Sequence, residues 1–289
     1  MMITENMPLV CILMPVYNSD LTLKTAIQSI INQTFTNWVC VIVNDGSTDK
    51  TKEILNNMND TRFRIINLKQ NMGRGYARQV CLDNSIGEYI AFLDADDFYH
   101  PNKIQLQVDL FQNNMNVSLV YCGLVSFDNK LIPQRMRGVK YADSVIKYMP
   151  NDCILFTPAT VLIKREKAVT IKYCTSLNAA EDIDYFSRYL KNESYVGINY
   201  ILYYYREDPK ISKIKLISYY YYTLVAYMPL LRYPNIRNIY LNLIAFIKLL
   251  SVIIIASIFG TECIINNRGK KVTKKEEMIF SKIKTELNI

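Results

Sequence analysis

No two of the seven cysteines (Cys11, Cys40, Cys81, Cys122, Cys153, Cys174 and Cys263) stand in a C-x-x-C pair. An odd, scattered set speaks against both a disulfide framework and a cysteine-based zinc site. A reducing compartment, the cytosol, is the expected one. A secretory leader is lacking too: the first apolar run, Met7 to Tyr17, is broken by Pro8 and Pro15 and has no basic start, so the N-terminal part is expected to stay where it is made. The glycines of a dinucleotide-binding turn are missing as well. The first strand runs into Pro-Val-Tyr-Asn, and the one Gly-Arg-Gly, at Gly73 to Gly75, lies elsewhere, so NAD binding is not expected. There is no internal repeat and no low-complexity linker.

What is present is core. With 289 residues, half of them apolar, the chain can bury one large domain, or one domain plus an appendage. Its net charge of +8 is unevenly placed: residues 1–205 hold 20 Lys+Arg against 20 Asp+Glu, and residues 206–289 hold 14 against 6. A neutral body with a basic end calls for an anionic surface. Long apolar runs interleave the basic stretch, which favours lipid over nucleic acid; no nucleic-acid partner is expected.

The first hundred residues alternate strand and helix signals. Strand Leu9 to Val16 precedes a helix with Leu23, Ala26, Ile27, Ile30 and Ile31 on one face. Strand Trp38 to Val43, a short helix from Thr51 to Met58, strand Phe63 to Leu68, a helix from Gly75 to about Ser85 and strand Tyr89 to Leu93 follow. Such alternation predicts an α/β fold with a doubly wound, mostly parallel sheet and helices on both faces. Sheets of this kind bind ligands at the carboxyl ends of their strands. Here those ends carry "PVYNSD", "NDGSTD", "KQNMGRGYAR" and "DADD".

The last loop packs Asp94, Asp96 and Asp97 into four residues. If the chain stays extended to Asp96, side-chain alternation puts Asp94 and Asp96 on one side and Ala95 on the other. Charges about 4 Å apart repel by roughly 1 kcal/mol in water and several times that near a protein surface, so the cluster needs solvent or a cation. Hard oxygen ligands favour Mg²⁺ or Mn²⁺, which takes one or two protein carboxylates and completes its shell with phosphate and water. The alternative is a cap: Asp97 or His100 before the helix opened by Pro101. An EF-hand is a poor match, because Phe98 and Tyr99 stand where a ligand and the turn glycine belong.

Five ordered stretches, "MPVYN", "NDGSTD", "NMGRGYARQ", "GEYIAFLDADD" and "AEDIDY", resemble the motif set of glycosyltransferase family 2, over about residues 7–206. The resemblance implies a GT-A fold and an inverting, nucleotide-sugar-dependent transferase. It makes the LDADD stretch the DxD motif, with Asp96 on the metal, Asp94 beside the nucleotide and metal, Ala95 at the nucleotide and Asp97 unassigned. It likens Pro15, Val16, Tyr17 and Asn18 to the base-binding turn, with Tyr17 offering a flat face to uracil. It likens Asp45 to the aspartate that accepts the base N–H, and Arg74 or its competitor Arg78 to a basic residue near the diphosphate. Each has a plain reading beside it: Tyr17 as core, Asp45 as turn former with Gly46, the arginines as surface.

Inverting transfer needs one base for the acceptor hydroxyl, unlike a retaining glycosidase with its two carboxylates. In "NAAEDIDYFSRYL", Ile183, Phe186 and Leu190 form a helical core face and put Glu181 and Asp182 in the first turn. The family likeness makes this pair the catalytic one and Asp182 the base. The competing reading is local: Glu181 follows Asn178 at the spacing of a capping box.

Toward the C-terminus, residues 195–240 hold 12 of the 22 tyrosines, and Pro229 and Pro234 interrupt the helices there. Tyrosine suits a membrane interface, an acceptor platform or a core edge. Ile239 to Phe259 is a 21-residue apolar stretch with Lys248 near its middle. Fourteen Ile, Leu, Val or Phe contribute about −4 to −8 kcal/mol to insertion and the lysine costs roughly 3, so a span is marginal. Interfacial or re-entrant association, or an oligomer contact, is expected in its place.

The expected organisation is a catalytic domain over residues 1–206, with a nucleotide-binding half to about 115 and an acceptor half from about 116. A helical, Tyr-rich, basic extension over 207–289 follows and makes peripheral membrane contact. The expected reaction moves a hexosyl or N-acetylhexosaminyl group from a UDP-sugar to a cell-surface saccharide or lipid-linked acceptor, with Mn²⁺ or Mg²⁺, at the cytoplasmic face of the membrane. Two other readings stand beside it: a sugar-nucleotide nucleotidyltransferase, for which the N-terminal glycine- and lysine-rich phosphate loop is missing, and a non-catalytic assembly subunit that keeps the fold.

Overall fold

The computed structural model describes residues 7–114, 116–138, 144–148, 154, 156–177, 179–207, 212–228 and 236–289. Asn178, Cys153, Pro229 and Pro234, named above, lie outside these. Strands β1 (Val10–Val16), β2 (Trp38–Asn44), β3 (Phe63–Asn67) and β4 (Tyr89–Phe92) pair in parallel in the order 3-2-1-4. Strand β1 shows why both faces are covered. Val10, Ile12, Met14 and Val16 join one core, while Cys11 and Leu13 join the other, as a strand with period-two side chains buried on both faces requires.

Helix α1 (Leu23–Ile31) closes the first face with Leu23, Ala26, Ile27 and Ile30; Ile31, at the flank of that stripe, is exposed. Helix α2 (Thr51–Asn56) adds Leu55 to this face. Helix α3 (Arg74–Asp83) closes the second face with Ala77, Cys81 and Leu82. Each large apolar side chain so buried contributes about 1.5–3 kcal/mol. Pro15 is tolerated inside β1 because its missing N–H faces β4, which has already ended at Phe92, so no ladder bond is lost. The gap beyond that end is where the loops converge.

Past β4 the chain forms the two-residue β5 (Phe98–Tyr99) and α4 (Lys103–Asn113), then the long β6 (Leu119–Phe127). Antiparallel β7 (Pro133–Arg137) and β9 (Leu162–Lys164) flank β6, and β9 bridges β6 to β4. Strand β10 (Ser194–Arg206) runs parallel to β6 with register shifts after Ile198 and Ile201, and antiparallel to β5 and to β8 (Ile146–Lys147). The short α5 (Arg165–Ala168) precedes α6 (Glu181–Tyr189). In α6 the core face differs from the expected one. Tyr185, Phe186, Tyr189 and Leu190 are buried and Ile183 is half-buried, because the two tyrosines bury their rings and donate their hydroxyls to Ala168 O (2.9 Å) and Ser118 O (2.7 Å).

The C-terminal section folds back onto the body. Helices α7 (Lys213–Tyr227), α8 (Ile236–Ile258) and α9 (Thr261–Ile265) pack around Leu216, Val252 and Ile265. Then β11 (Lys270–Lys271) pairs with the edge strand β7. Finally α10 (Lys274–Leu287), capped by Thr273, inserts Phe280, Ile283 and Leu287 against Phe98, Phe127, Ile201 and Tyr204. Among the described residues no helix is long and apolar enough to cross a membrane. Helix α8 nonetheless leaves Ile239, Leu243, Phe246, Ile247, Leu250 and Ile254 exposed along one stripe.

Candidate functional site

Four loops and α6 meet at the carboxyl edge of the parallel strands around one cavity of about 1170 Å³. The first two loops lock each other. Asn18, held at φ 48°, donates its backbone N–H to Ser47 Oγ (3.0 Å) and accepts from the Thr48 N–H (2.8 Å). Its side chain is therefore spent on fixing the loops, while the neighbouring Tyr17, 46% exposed, stands open in the cavity wall and is not core. Val16 and Pro15 line the wall beside it.

Asp45 is buried and accepts from two backbone N–H groups of the third loop, Met72 to Oδ1 (2.7 Å) and Gly73 to Oδ2 (3.0 Å). The loops approach so closely that a Cβ on Gly46, at φ 65°, would lie 2.3 Å from the Gln70 carbonyl carbon. Only glycine fits both the dihedral and the gap. The second loop thus shapes the third, which opens α3 at Gly73.

Arg74 and Arg78, one helical turn apart on α3, part company. The Arg74 side chain is 62% exposed and lines the cavity, 3.9 Å from Glu181 Oε1. The Arg78 side chain is 9% exposed and reaches two carboxylates, Asp94 Oδ1 through Nη2 (2.9 Å) and Glu181 Oε1 through Nε (3.5 Å). Burial pulls the Arg78 pKa down, but Asp94 and Glu181 more than offset that and hold it well above its ordinary value.

After β4 the chain does not stay extended. A turn forms in which the Asp97 N–H donates to Asp94 O (3.1 Å), so strand alternation does not explain how the acids are disposed. Asp94, half-buried, takes the Arg78 bond. Asp96 is open to the cavity, though deep among protein atoms. That burial, and then the charge of Asp94, push its pKa up. Asp97 is fully buried and accepts from the Tyr203 hydroxyl (2.6 Å) and the Arg206 N–H (2.7 Å). Burial, then Asp96 and Asp94, hold its pKa well above the ordinary range. The expectation that Asp97 or His100 caps the next helix is corrected: α4 starts at Lys103, Asp97 ties β10 to the turn, and His100 Nδ1 accepts from Asn102 N–H (3.1 Å).

On α6, Ala180 turns the chain at φ 58° and brings Asp182 to the cavity wall. Glu181 points the other way, 1% exposed, and its carboxylate oxygens have no hydrogen-bond donor among the described residues. Burial outweighs the two arginines and raises its pKa. Of the residues singled out in the sequence, Pro15, Val16, Tyr17, Asp45, Arg74, Arg78, Asp94, Ala95, Asp96 and Asp182 line the cavity; Asn18 and Glu181 brace it from behind.

The charged groups of the far wall were not anticipated. Arg137, Glu207, Tyr219, Tyr222 and Arg268 line it, and Arg206, whose Nε donates to Asp96 O (3.2 Å), joins it to the turn after β4. The run of tyrosines ending in Arg206 marks this region in the sequence, but no spacing links Arg137 to Arg268.

As for a metal, no group of three or more His, Cys, Asp or Glu among the described residues encloses an ion. The donor set on offer is Asp96 with Asp94 beside it, two hard oxygen donors whose mutual repulsion a cation relieves. That set fits an ion of the Mg²⁺ or Mn²⁺ type, which draws most of its shell from phosphate and water.

The sequence pattern of the family described as Glycosyl transferase family 2 matches residues 11–188. An uncharacterized glycosyltransferase of Haemophilus influenzae is 34% identical over 58% of this chain and 67% of its own length. The Escherichia coli UDP-Glc:alpha-D-GlcNAc-diphosphoundecaprenol beta-1,3-glucosyltransferase WfgD is 33% identical over 43% of this chain and 49% of its own. Among solved structures, S. aureus TarS 1-349 in complex with UDP-GlcNAc superposes over 96% of this chain and 80% of its own, with a TM-score of 0.61 at 16% identity. Mannosyltransferase PcManGT from Pyrobaculum calidifontis, in complex with GDP-Man and Mn2+, does so over 97% and 87%, with a TM-score of 0.62 at 13% identity. At such identities these two speak to the fold alone.

Proposed function

The chain belongs to glycosyltransferase family 2, and on that premise we propose that it is an inverting, metal-dependent transferase acting from a UDP-sugar on a saccharide or lipid-linked acceptor. The observation that carries this reading is the meeting in one cavity of Asp94 and Asp96 from the turn after β4, the exposed Arg74 at the head of α3, Tyr17 from the loop after β1 and Asp182 from the first turn of α6. The UDP moiety is favoured over GDP because WfgD, a relative by sequence, is named with UDP-Glc; the lipid-linked acceptor class follows WfgD's name as well. The catalytic unit is residues 1–206, with the nucleotide in the half before about 115, and 207–289 are its extension.

In this scheme Tyr17 lies against the base, and Arg74 faces the diphosphate. Asp96, with Asp94, would hold Mn²⁺ or Mg²⁺, which supplies positive charge to the diphosphate oxygens when bound. Asp182 takes the acceptor hydroxyl proton while that oxygen forms its bond to the anomeric carbon. The bond from that carbon to the diphosphate breaks on the opposite side, and its electron pair leaves with UDP. Arg78 and Glu181 touch neither reactant; they fix the turn that carries Asp94 and the helix that carries Asp182. The exposed apolar stripe of α8 and the basic excess beyond residue 205 support a location at the cytoplasmic face of a membrane.

The test pairs binding with transfer. Asp182→Asn is expected to bind UDP with Mn²⁺ as the wild type does and to lose transfer by about 10²–10⁴-fold, the range of general-base catalysis. Near-normal transfer by this variant removes Asp182 from the role. Failure of the wild type to bind UDP with Mn²⁺ or Mg²⁺ removes the donor assignment.

A further inference from the structure

The cavity carries charged groups on both sides. The donor side presents Asp94, Asp96 and Asp182 together with Arg74 and Arg78, while the far wall presents Arg137 and Arg268. Both far-wall guanidiniums are held on one carboxylate, Arg137 Nη2 at 2.8 Å from Glu207 Oε2 and Arg268 Nη1 at 3.2 Å from Glu207 Oε1. Arg268 Nη2 also donates to the Tyr220 hydroxyl (3.2 Å). The three groups come from β7, the end of β10 and the turn after α9, so the arrangement is tertiary. Among the described residues, two fixed cations share one anion, and a unit of positive charge faces the cavity. A neutral sugar has no use for it.

Tyr219 lines the same cavity as Asp182, and its ring centroid lies 5.8 Å from the Arg268 guanidinium carbon. An acceptor with its reacting hydroxyl at Asp182 and an anionic group at the arginine pair would therefore occupy one continuous cavity, with an aromatic ring beside the anionic end. Paired guanidinium forks match phosphate oxygens and need no reorganisation when already braced.

Resting on the transferase reading, we infer that Arg137 and Arg268, braced by Glu207, form an acceptor subsite for a phosphate group, so that the acceptor is a sugar carried on a phosphate or diphosphate. A lipid diphosphate and a soluble sugar phosphate share this chemistry.

The experiment titrates the full chain, saturated with UDP and Mg²⁺, with decyl diphosphate, inorganic pyrophosphate and decyl glucuronide at matched free Mg²⁺. Decyl diphosphate is expected to bind alongside UDP, and Arg268→Gln and Arg137→Gln each to weaken it by about ten- to a hundredfold, the effect of one lost charged hydrogen bond, with UDP affinity unchanged. Where Arg268→Gln fails to fold, Arg268→Lys, which keeps the charge and loses the fork, carries the test. Tighter binding of decyl diphosphate than of pyrophosphate supports a lipid source, and equal binding supports a soluble phosphate. The inference is overturned if UDP-loaded protein ignores decyl diphosphate, if neither variant weakens it, or if decyl glucuronide binds as tightly. Failure to bind UDP at all tells against the transferase reading and not against this subsite alone.

Discussion

Arg78 and Glu181 form a buried ion pair whose two members should respond oppositely to removal. At an effective dielectric near 20, unit charges separated by the 2.9 Å of Arg78 to Asp94 and the 3.5 Å of Arg78 to Glu181 attract by about 6 and about 5 kcal/mol before desolvation is charged against them. Arg78→Met leaves Asp94 without its cation and Glu181 with only the exposed Arg74 at 3.9 Å, and the expected loss is about 3–5 kcal/mol of stability, the cost of breaking a buried pair from one side. Glu181→Gln leaves Arg78 its closer and hydrogen-bonded partner, Asp94. It also removes a carboxylate that accepts no hydrogen bond among the described residues. Near-neutral stability, or a gain, is expected at pH 8. The sign with pH follows from linkage. Burial raises the Glu181 pKa in the folded chain, so the folded state keeps a proton that the unfolded chain has released. Its stabilising contribution is present below the ordinary carboxylate pKa and lost as pH rises through the raised value. Wild type should therefore gain on Glu181→Gln as pH falls from 8 to 5. Urea midpoints at both values, with m unchanged, measure this. The cost of Arg78→Met should shrink by more than 1 kcal/mol when Glu181→Gln is already present. A loss above 3 kcal/mol for Glu181→Gln at pH 8, or a trend with pH of opposite sign, refutes the reasoning.

Asp96 has a raised pKa from burial and from Asp94, so Mn²⁺-dependent UDP binding should fall as pH drops through a value above the ordinary carboxylate figure of about 4. Asp96→Ala should abolish the metal dependence by calorimetry at every pH. Asp97→Ala strands the Tyr203 hydroxyl and the Arg206 N–H, at about 1–3 kcal/mol for each unsatisfied group. Asp97→Asn, which still accepts a bond, should cost clearly less in the same urea titration. Gly46→Ala forces a Cβ against Gln70 at positive φ and should cost about 2–4 kcal/mol. By shifting the loop that Asp45 holds, it should also weaken UDP binding in a thermal-shift titration.

The parallel half of the fold was legible because its signals are local. Strand runs, helical stripes and the polar loops after each strand sit within a few residues of each other, and a parallel sheet sends all such loops to one edge. That is why ten residues chosen from the sequence line one cavity. The ranking of Arg74 against Arg78 was not legible, since both occupy the same face of α3; depth alone separates them, and depth depends on where Glu181 of a distant helix lies. The far wall was hidden for the same reason. Arg137, Glu207 and Arg268 are brought together by an antiparallel strand, a bulged strand and a turn after α9, with no repeat to announce it. The return of β11 and α10 to the body was equally silent, because α10 reads as an ordinary solvated helix until Phe280 finds Phe98, Phe127 and Tyr204.

Three acids within four residues look like redundancy until each is followed to its partner. Asp97 faces inward, takes two hydrogen bonds from β10 and fixes the far end of that strand, where Arg206 and Glu207 enter the cavity wall. Asp94 faces sideways and is neutralised by Arg78, whose other contact is Glu181 at the head of the helix bearing Asp182. Asp96 opens to the cavity, which Asp94 also lines. A turn after β4, in place of the extended chain that alternation predicts, is what sends the three in different directions. One loop therefore sets the position of the donor side, the base helix and the acceptor wall together. A substitution at Asp97, which only braces the turn, should consequently disturb acceptor and donor binding in parallel, whereas one at Asp96 should disturb the donor alone.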